Sequence, residues 1–193
     1  AYAAAHPGVE IQLSVGNREE TVAALESFAI DLAVMGRPPS RFEVERSVIG
    51  PHPHVIVAPP EHPLAGSRYI SPKLLSAETF LMREPGSGTR MLTEQLLAET
   101  GATPRIGMEI GSNETIKQAV MAGLGIALLS AHTVSVELAD GRLAMLDVVG
   151  LPIMRQWFVV RRTDRHIMPA TSLLGQFLAA EGGGVPPAPE IDT

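Results

Sequence analysis

The sequence predicts an α/β fold in two lobes with a cleft between them, and three observations carry that reading. Short apolar segments such as Phe80–Met82 and Ile126–Leu129 alternate with helical apolar stripes, the order expected of strand–helix–strand units. One such unit recurs: Asn17, a helix, then Phe28, Ile30 and Leu32 matches Asn113, a helix, then Leu124, Ile126 and Leu128 at the same offsets. Between the two copies lies Pro59-Pro60-Glu61-His62-Pro63, too stiff for regular structure and expected to be a crossing between lobes. The expected division is 1–65 with 151–181 as lobe I, 66–150 as lobe II, and 182–193 as a disordered tail rich in Gly and Pro. Alternating strands and helices further predict parallel sheets with right-handed crossovers.

The elements follow in order. Ala1 to Ala5 reads as the tail of a helix stopped by Pro7-Gly8, which suggests a fragment of a longer chain. Val9, Ile11, Leu13 and Val15 alternate with polar residues, predicting a strand over 9–15 with one face buried. Asn17 and Glu20 have capping-box spacing before a helix carrying Val22, Leu25 and Phe28. A strand over 30–35, apolar on both faces after Asp31, suits a parallel position. Glu43 to Ile49 and His54 to Ala58 read as two strands divided by Gly50-Pro51-His52-Pro53. A short helix over 72–75 leads to Phe80–Met82, a Gly-rich turn, and a helix from Thr89 to Gly101 with Leu92, Leu96 and Leu97 inward. Ile106, Met108 and Ile110 predict a strand, and Ser112-Asn113-Glu114 caps a helix carrying Ile116, Ala119, Val120 and Leu124. A buried strand over 126–129, a helix over 132–138, strands over 143–148 and 153–162, and a helix over 169–180 complete the chain.

Composition removes several function classes. The 193 residues contain no cysteine, which excludes disulfides and thiolate metal sites. The net charge of −6, with Arg161-Arg162 the longest basic run, offers no face for nucleic acid. One Trp and two Tyr argue against a stacking platform for single strands. No signal peptide is evident, and no apolar run approaches the roughly 20 residues that span a bilayer.

The chemistry concentrates in loops at the carboxyl ends of predicted strands, where open α/β sheets bind ligands. The stretch Arg83-Glu84-Pro85-Gly86-Ser87-Gly88-Thr89-Arg90 joins a buried strand to a helix. Its backbone N–H groups and the helix dipole favour a small anion; Ser87 and Thr89 add hydroxyls, Arg83 and Arg90 full charges. The plainer reading is that Ser87 or Thr89 caps a helix and the glycines turn the chain. Three further loops, Met35-Gly36-Arg37, Ser112-Asn113 and the one at Ser130, converge on the same hollow if the fold is right. The candidate ligand-binding residues are therefore Met35, Gly36, Arg37, Arg83, Ser87, Gly88, Thr89, Arg90, Ser112 and Asn113. His52, His54 and His62 are a weak metal candidate, since such sites usually add a carboxylate or Cys; turn and strand-edge roles between prolines explain them more simply. No G-x-S-x-G elbow, P-loop lysine or paired carboxylates appear, so no catalytic residue or cofactor is assigned.

Several motifs, in order, resemble the effector-binding domain of LysR-type transcriptional regulators. They are His6-Pro7-Gly8-Val9-Glu10, Asp31-Leu32-Ala33-Val34-Met35, Glu61-His62-Pro63-Leu64-Ala65, Arg83 to Arg90, and Gly123-Leu124-Gly125-Ile126-Ala127-Leu128-Leu129-Ser130. Val15-Gly16-Asn17-Arg18, Met35-Gly36-Arg37-Pro38-Pro39, Gly50-Pro51-His52-Pro53 and Gly111 to Val120 resemble the branch controlling Calvin-cycle operons. The resemblance implies two Rossmann-like lobes of the type 2 periplasmic-binding-protein fold, with the family's first strand missing, and a small, phosphorylated metabolite in the cleft. It also implies a cytoplasmic homodimer or tetramer, with no membrane partner, that meets DNA only through an absent N-terminal winged helix-turn-helix. A transport solute-binding protein shares the fold and is the alternative; an enzyme on the same scaffold and a ligand-free dimerisation module are two more.

Overall fold

The computed structural model describes residues 1–164 and 166–181; the tail expected over 182–193 lies outside the described residues. Among the described residues the chain divides into two compact units, 1–51 with 156–181, and His52–Arg155. The exchange points thus fall inside two strands, where the sequence suggested 65/66 and 150/151. The proline-rich 59–63 stretch is instead a turn within the second unit, with the His62 N–H donating to the Pro59 carbonyl at 3.0 Å.

The first unit contains α1 (Tyr2–Ala5), α2 (Arg18–Glu26), β1 (Ala33–Met35), the start of β2 (Val44–Ala58), the end of β7 (Ile153–Arg162) and α6 (Pro169–Glu181). Helix α2 starts where the sequence places it. Asn17 accepts from the Glu20 N–H at 3.0 Å and Glu20 accepts from the Asn17 N–H at 2.8 Å, so two otherwise unsatisfied donors are paired by one local motif. Val22 and Leu25 pack with Ala33, Met35 and Val160 as the core of this unit. Phe28 is not the third member of that stripe: it has φ 58°, is 41% exposed, and lies under the Arg162 guanidinium at 4.3 Å.

Two expectations fail in this unit. Residues 9–15 form no strand: Leu13 and Val15 are 87% and 92% exposed. Alternation marks one face as apolar but supplies no partner, and a strand is held by its ladder. β1 is shorter than expected and pairs antiparallel with β7, Ala33 opposite Val160 and Met35 opposite Phe158, rather than parallel. Its short span leaves Val34 half-exposed, so it is covered on one face only.

The second unit holds the rest of β2, a 3₁₀ turn (Pro72–Ala77), β3 (Thr79–Arg83), α3 (Gly88–Thr100), β4 (Arg105–Ile110), α4 (Asn113–Met121), β5 (Ala127–Ser130), α5 (Ala131–Ala139) and β6 (Ala144–Met145). Here the parallel prediction holds in part. β3 pairs parallel with β4, and a parallel bridge joins Phe80 to Ile126 at the entry to β5. β2 runs the other way, antiparallel to β5 and β6. β2 is also one continuous strand where the sequence suggested two. Proline's fixed φ fits extended backbone, and the ladder with β5 starts only at His54, past both prolines. Two cores cover the faces of this sheet. Ile56, Phe80, Leu96 and Leu128 lie in one; Val55, Leu81, Ile116, Leu129 and Val134 lie in the other. At its edge, β4 leaves Ile106 and Met108 about half exposed.

Candidate functional site

Strand direction decides which loops meet. Because β3 pairs parallel with β4 and is bridged in parallel to the entry of β5, the loops that follow these strands leave one edge of the second unit. Antiparallel β2 enters at that edge, with His54 opposite Ser130. Three of the four predicted loops therefore share this edge: Arg83–Arg90, Ser112–Asn113 and Ser130.

The first loop turns at Gly86, whose φ of 84° favours glycine. Ser87 is buried and its hydroxyl accepts from the Arg90 N–H at 3.5 Å, so it caps α3; Gly88 is the first helical residue and Thr89 the second. Ser112 caps α4 in the same way, accepting from the Thr115 N–H at 3.4 Å. The plainer reading thus holds for both serine hydroxyls: each is engaged in capping.

The guanidiniums are also engaged. Arg83 donates to both Glu84 carboxylate oxygens, at 2.7 and 2.9 Å, and to the Asn113 side-chain oxygen, which ties the loop after β3 to the start of α4. Arg90 donates to Glu94 and Glu109 and, at 2.9 Å, to the Arg83 carbonyl. Those two carboxylates hold Arg90 above its ordinary value. Beside this edge, Lys117 joins Glu114 at 2.7 Å and Glu137 at 2.9 Å, bridging α4 and α5. The sequence reading requires Arg37, Thr89 and Asn113 around one hollow; Thr89 and Asn113 lie at the amino ends of helices leaving this edge, and Arg37 belongs to the first unit.

Met35, Gly36 and Arg37 belong to the first unit. Met35 is buried in that unit's core and Arg37 is exposed. The Arg18 guanidinium donates to the Arg37 carbonyl at 3.2 Å. Burial, then the nearby Arg37 and Arg41 charges, pull Arg18 below its ordinary value. Arg18 thus adds a cation beside Arg37; the sequence reading did not place it among the candidate site residues.

The histidines regroup. His62 stands apart, 3.1 Å from Glu78. His52 and His54 lie ring to ring at 4.2 Å, and the third ring near them is His132 of α5, 6.4 Å from His52 and nearly parallel to it. Burial, then the neighbouring His54 and His132, push His52 down to about 3. Burial pushes His54 down to about 4, with Arg155 and His132 adding to the effect and a bond to the His52 carbonyl opposing it. Among the described residues no group of three or more His, Cys, Asp or Glu side chains has the geometry to hold a metal ion. Sequence reasoning missed His132 and Arg155 because no local pattern links either to β2.

A model of the LysR substrate binding domain matches residues 1–183. The chain belongs to the LysR substrate-binding-domain family. Its curated relatives include the HTH-type transcriptional regulator CbbR of Xanthobacter flavus, 52% identical over 97% of this chain and 57% of the relative. The RuBisCO operon transcriptional regulator of Allochromatium vinosum is 46% identical over 91% of this chain and 58% of that protein. The chain therefore spans less than two thirds of the length of these LysR-family relatives. Among solved structures, the regulatory domain of CcmR from Synechocystis PCC6803, determined in complex with 2-PG, is 34% identical with a TM-score of 0.90, covering 95% of this chain and 88% of that one. The α/β fold is that of LysR regulatory domains. Its relatives are named as regulators, and among the described residues no helix is long and apolar enough to cross a membrane.

Proposed function

We propose that this LysR domain senses a small anionic, phosphorylated metabolite and governs DNA binding by a helix-turn-helix region elsewhere in a CbbR-type regulator of carbon-fixation genes. The observation that carries the reading is the Arg83–Asn113 hydrogen bond, which holds two Gly- and Ser-bearing loops together at the amino ends of α3 and α4. Helix amino ends with cations beside them suit an anion, and Thr89 supplies a hydroxyl at the first turn of α3. The CcmR regulatory domain, which shares the fold at 34% identity, was solved with 2-PG, a ligand that fits this chemistry. Effector binding shifts the population between arrangements of the regulator to the extent that one arrangement binds it better.

Arg83, Ser87, Gly88, Thr89, Arg90, Ser112 and Asn113 are proposed contacts in the second unit, and Met35, Gly36 and Arg37 in the first. Calorimetric titration with 2-PG tests the reading. The chain binds; Arg83→Ala weakens binding at least about tenfold, the scale of one charged hydrogen bond. Thr89→Val, which leaves the Arg83 pairing intact, weakens it less. Absence of heat with 2-PG and with inorganic phosphate would remove the anion-sensor reading.

A further inference from the structure

Helix α2 of the first unit opens on an arginine, a placement that electrostatics disfavours. The amino end of a helix carries partial positive charge, so a cation at its first position is repelled. Arg18 is also partly buried, and the charges that act on it are those of Arg37 and Arg41, both positive. Arg41 is paired with Glu26. Arg18 and Arg37 have no carboxylate partner among the described residues. The Arg18 Nε–H donates to the Arg37 carbonyl at 3.2 Å, and that is its one described side-chain bond; the two terminal nitrogens of the fork have none. The acids of the same turn are placed otherwise. Glu20 accepts from the Asn17 N–H at 2.8 Å, and Glu19 is exposed and in no ion pair among the described residues.

Arg37 is held in position. It is exposed, but Met35 before it and Pro39 after it are buried, and Pro38 fixes the backbone between them. The bond from Arg18 to the Arg37 carbonyl then ties the loop to the start of α2. Other arginines are matched. Arg83 and Arg90 of the second unit pair with carboxylates, and Arg161 and Arg162 of the first pair with Glu45 and Asp164. Two neighbouring guanidiniums without a counter-charge work against the fold, and such departures from good local electrostatics concentrate at functional sites. The planar fork of arginine matches phosphate bidentately, and one phosphate has oxygens enough for two forks.

We infer that Arg18 and Arg37 form a phosphate-binding pair on the first unit, with Arg18 a ligand contact as well as the first residue of α2. The inference rests on the anion-sensor reading and adds to it a contact of stated chemistry. In chloride the two guanidiniums repel one another; a dianion against both forks replaces that repulsion with two attractions. Arg18 therefore contributes nothing to stability, or lowers it, in chloride, and raises it in phosphate. An arginine with a purely structural role would contribute equally in both.

Inorganic phosphate is the probe, at mildly alkaline pH where it is largely dianionic, against chloride at matched ionic strength. Urea unfolding is followed for the 193-residue chain and for its Arg18→Gln and Arg37→Gln variants. In chloride Arg18→Gln is expected to unfold at the same urea concentration as the unsubstituted chain or higher. Phosphate raises the midpoint of the unsubstituted chain, because it binds the folded form. Either substitution removes most of that rise, with phosphate affinity falling at least about tenfold. Spectra of the arginine Nε–H groups, recorded on the unsubstituted chain through the same titration, show the Arg18 and Arg37 signals moving together. A phosphate rise that survives in both variants, with those signals unmoved, overturns the pair. Heat with 2-PG that Arg83→Ala weakens and Arg18→Gln does not overturns the pair and leaves the anion-sensor reading in place. Absence of heat with both 2-PG and phosphate overturns both. The Nε–H spectra of the unsubstituted chain decide the matter even where a variant folds poorly.

Discussion

Helices α3 and α5 both begin just after a strand of the second unit, at a buried serine, and the two serines are used differently. Ser87 spends its hydroxyl on the Arg90 N–H, and the arginines around it are matched by carboxylates. Ser130 has the same position relative to its helix, yet its hydroxyl is unpartnered and its neighbours are imidazoles held neutral. The first end is a completed structural motif that also carries the proposed binding groups. The second leaves a buried hydroxyl unsatisfied among the described residues. A Gly-rich loop therefore draws attention in a sequence, but an unsatisfied buried atom is the stronger pointer to a ligand in a structure.

The largest effect that separates the two ends is acid destabilisation. His52 and His54 titrate below their ordinary value in the fold, so the unfolded chain binds more protons as pH falls from about 6.5 towards 4 and stability is lost across that window. Urea unfolding at stepped pH is expected to show a loss on the order of a few kcal/mol, and His52→Gln to flatten it. A flat profile for the unsubstituted chain contradicts the neutral-imidazole account.

The next effect compares the serines directly. Ser87→Ala removes a working cap and lowers stability by about 1 kcal/mol. Ser130→Ala removes an unpartnered polar atom and leaves stability unchanged or slightly raised. Equal losses in urea unfolding of the two variants would erase the distinction. Smallest is Arg90→Gln: its partners Glu94 and Glu109 are about half exposed, so the change costs about 0.5 kcal/mol, shrinking further at high salt in the same assay.

What could be read from the sequence was what local chemistry fixes. The Asn17–Glu20 capping box, the Ser87 and Ser112 caps and the buried Phe80–Met82 strand depend on neighbours within a few residues, and each stands in the structure. Failures came where distant partners decide. The alternation of 9–15 could not reveal the lack of a pairing strand, and a helical stripe could not foresee Phe28 turning to a positive φ beneath Arg162. Pro51 and Pro53 looked like breaks because strand continuity is set by partners the sequence does not show. At the site, Arg83 and Asn113 could be singled out as candidates, since each sits in a recognisable strand-to-helix loop. The pairing of Arg83 with Glu84, and the meeting of His132 with His52, depend on side-chain packing across elements and left no spacing to read.

The most direct test of the central claim is the affinity of the chain for 2-PG, measured by calorimetry, before and after Arg83→Ala. The account predicts saturable binding weakened at least about tenfold by the substitution, with the variant's unfolding transition still cooperative. Equal affinity in both proteins, or no binding in either, would contradict it.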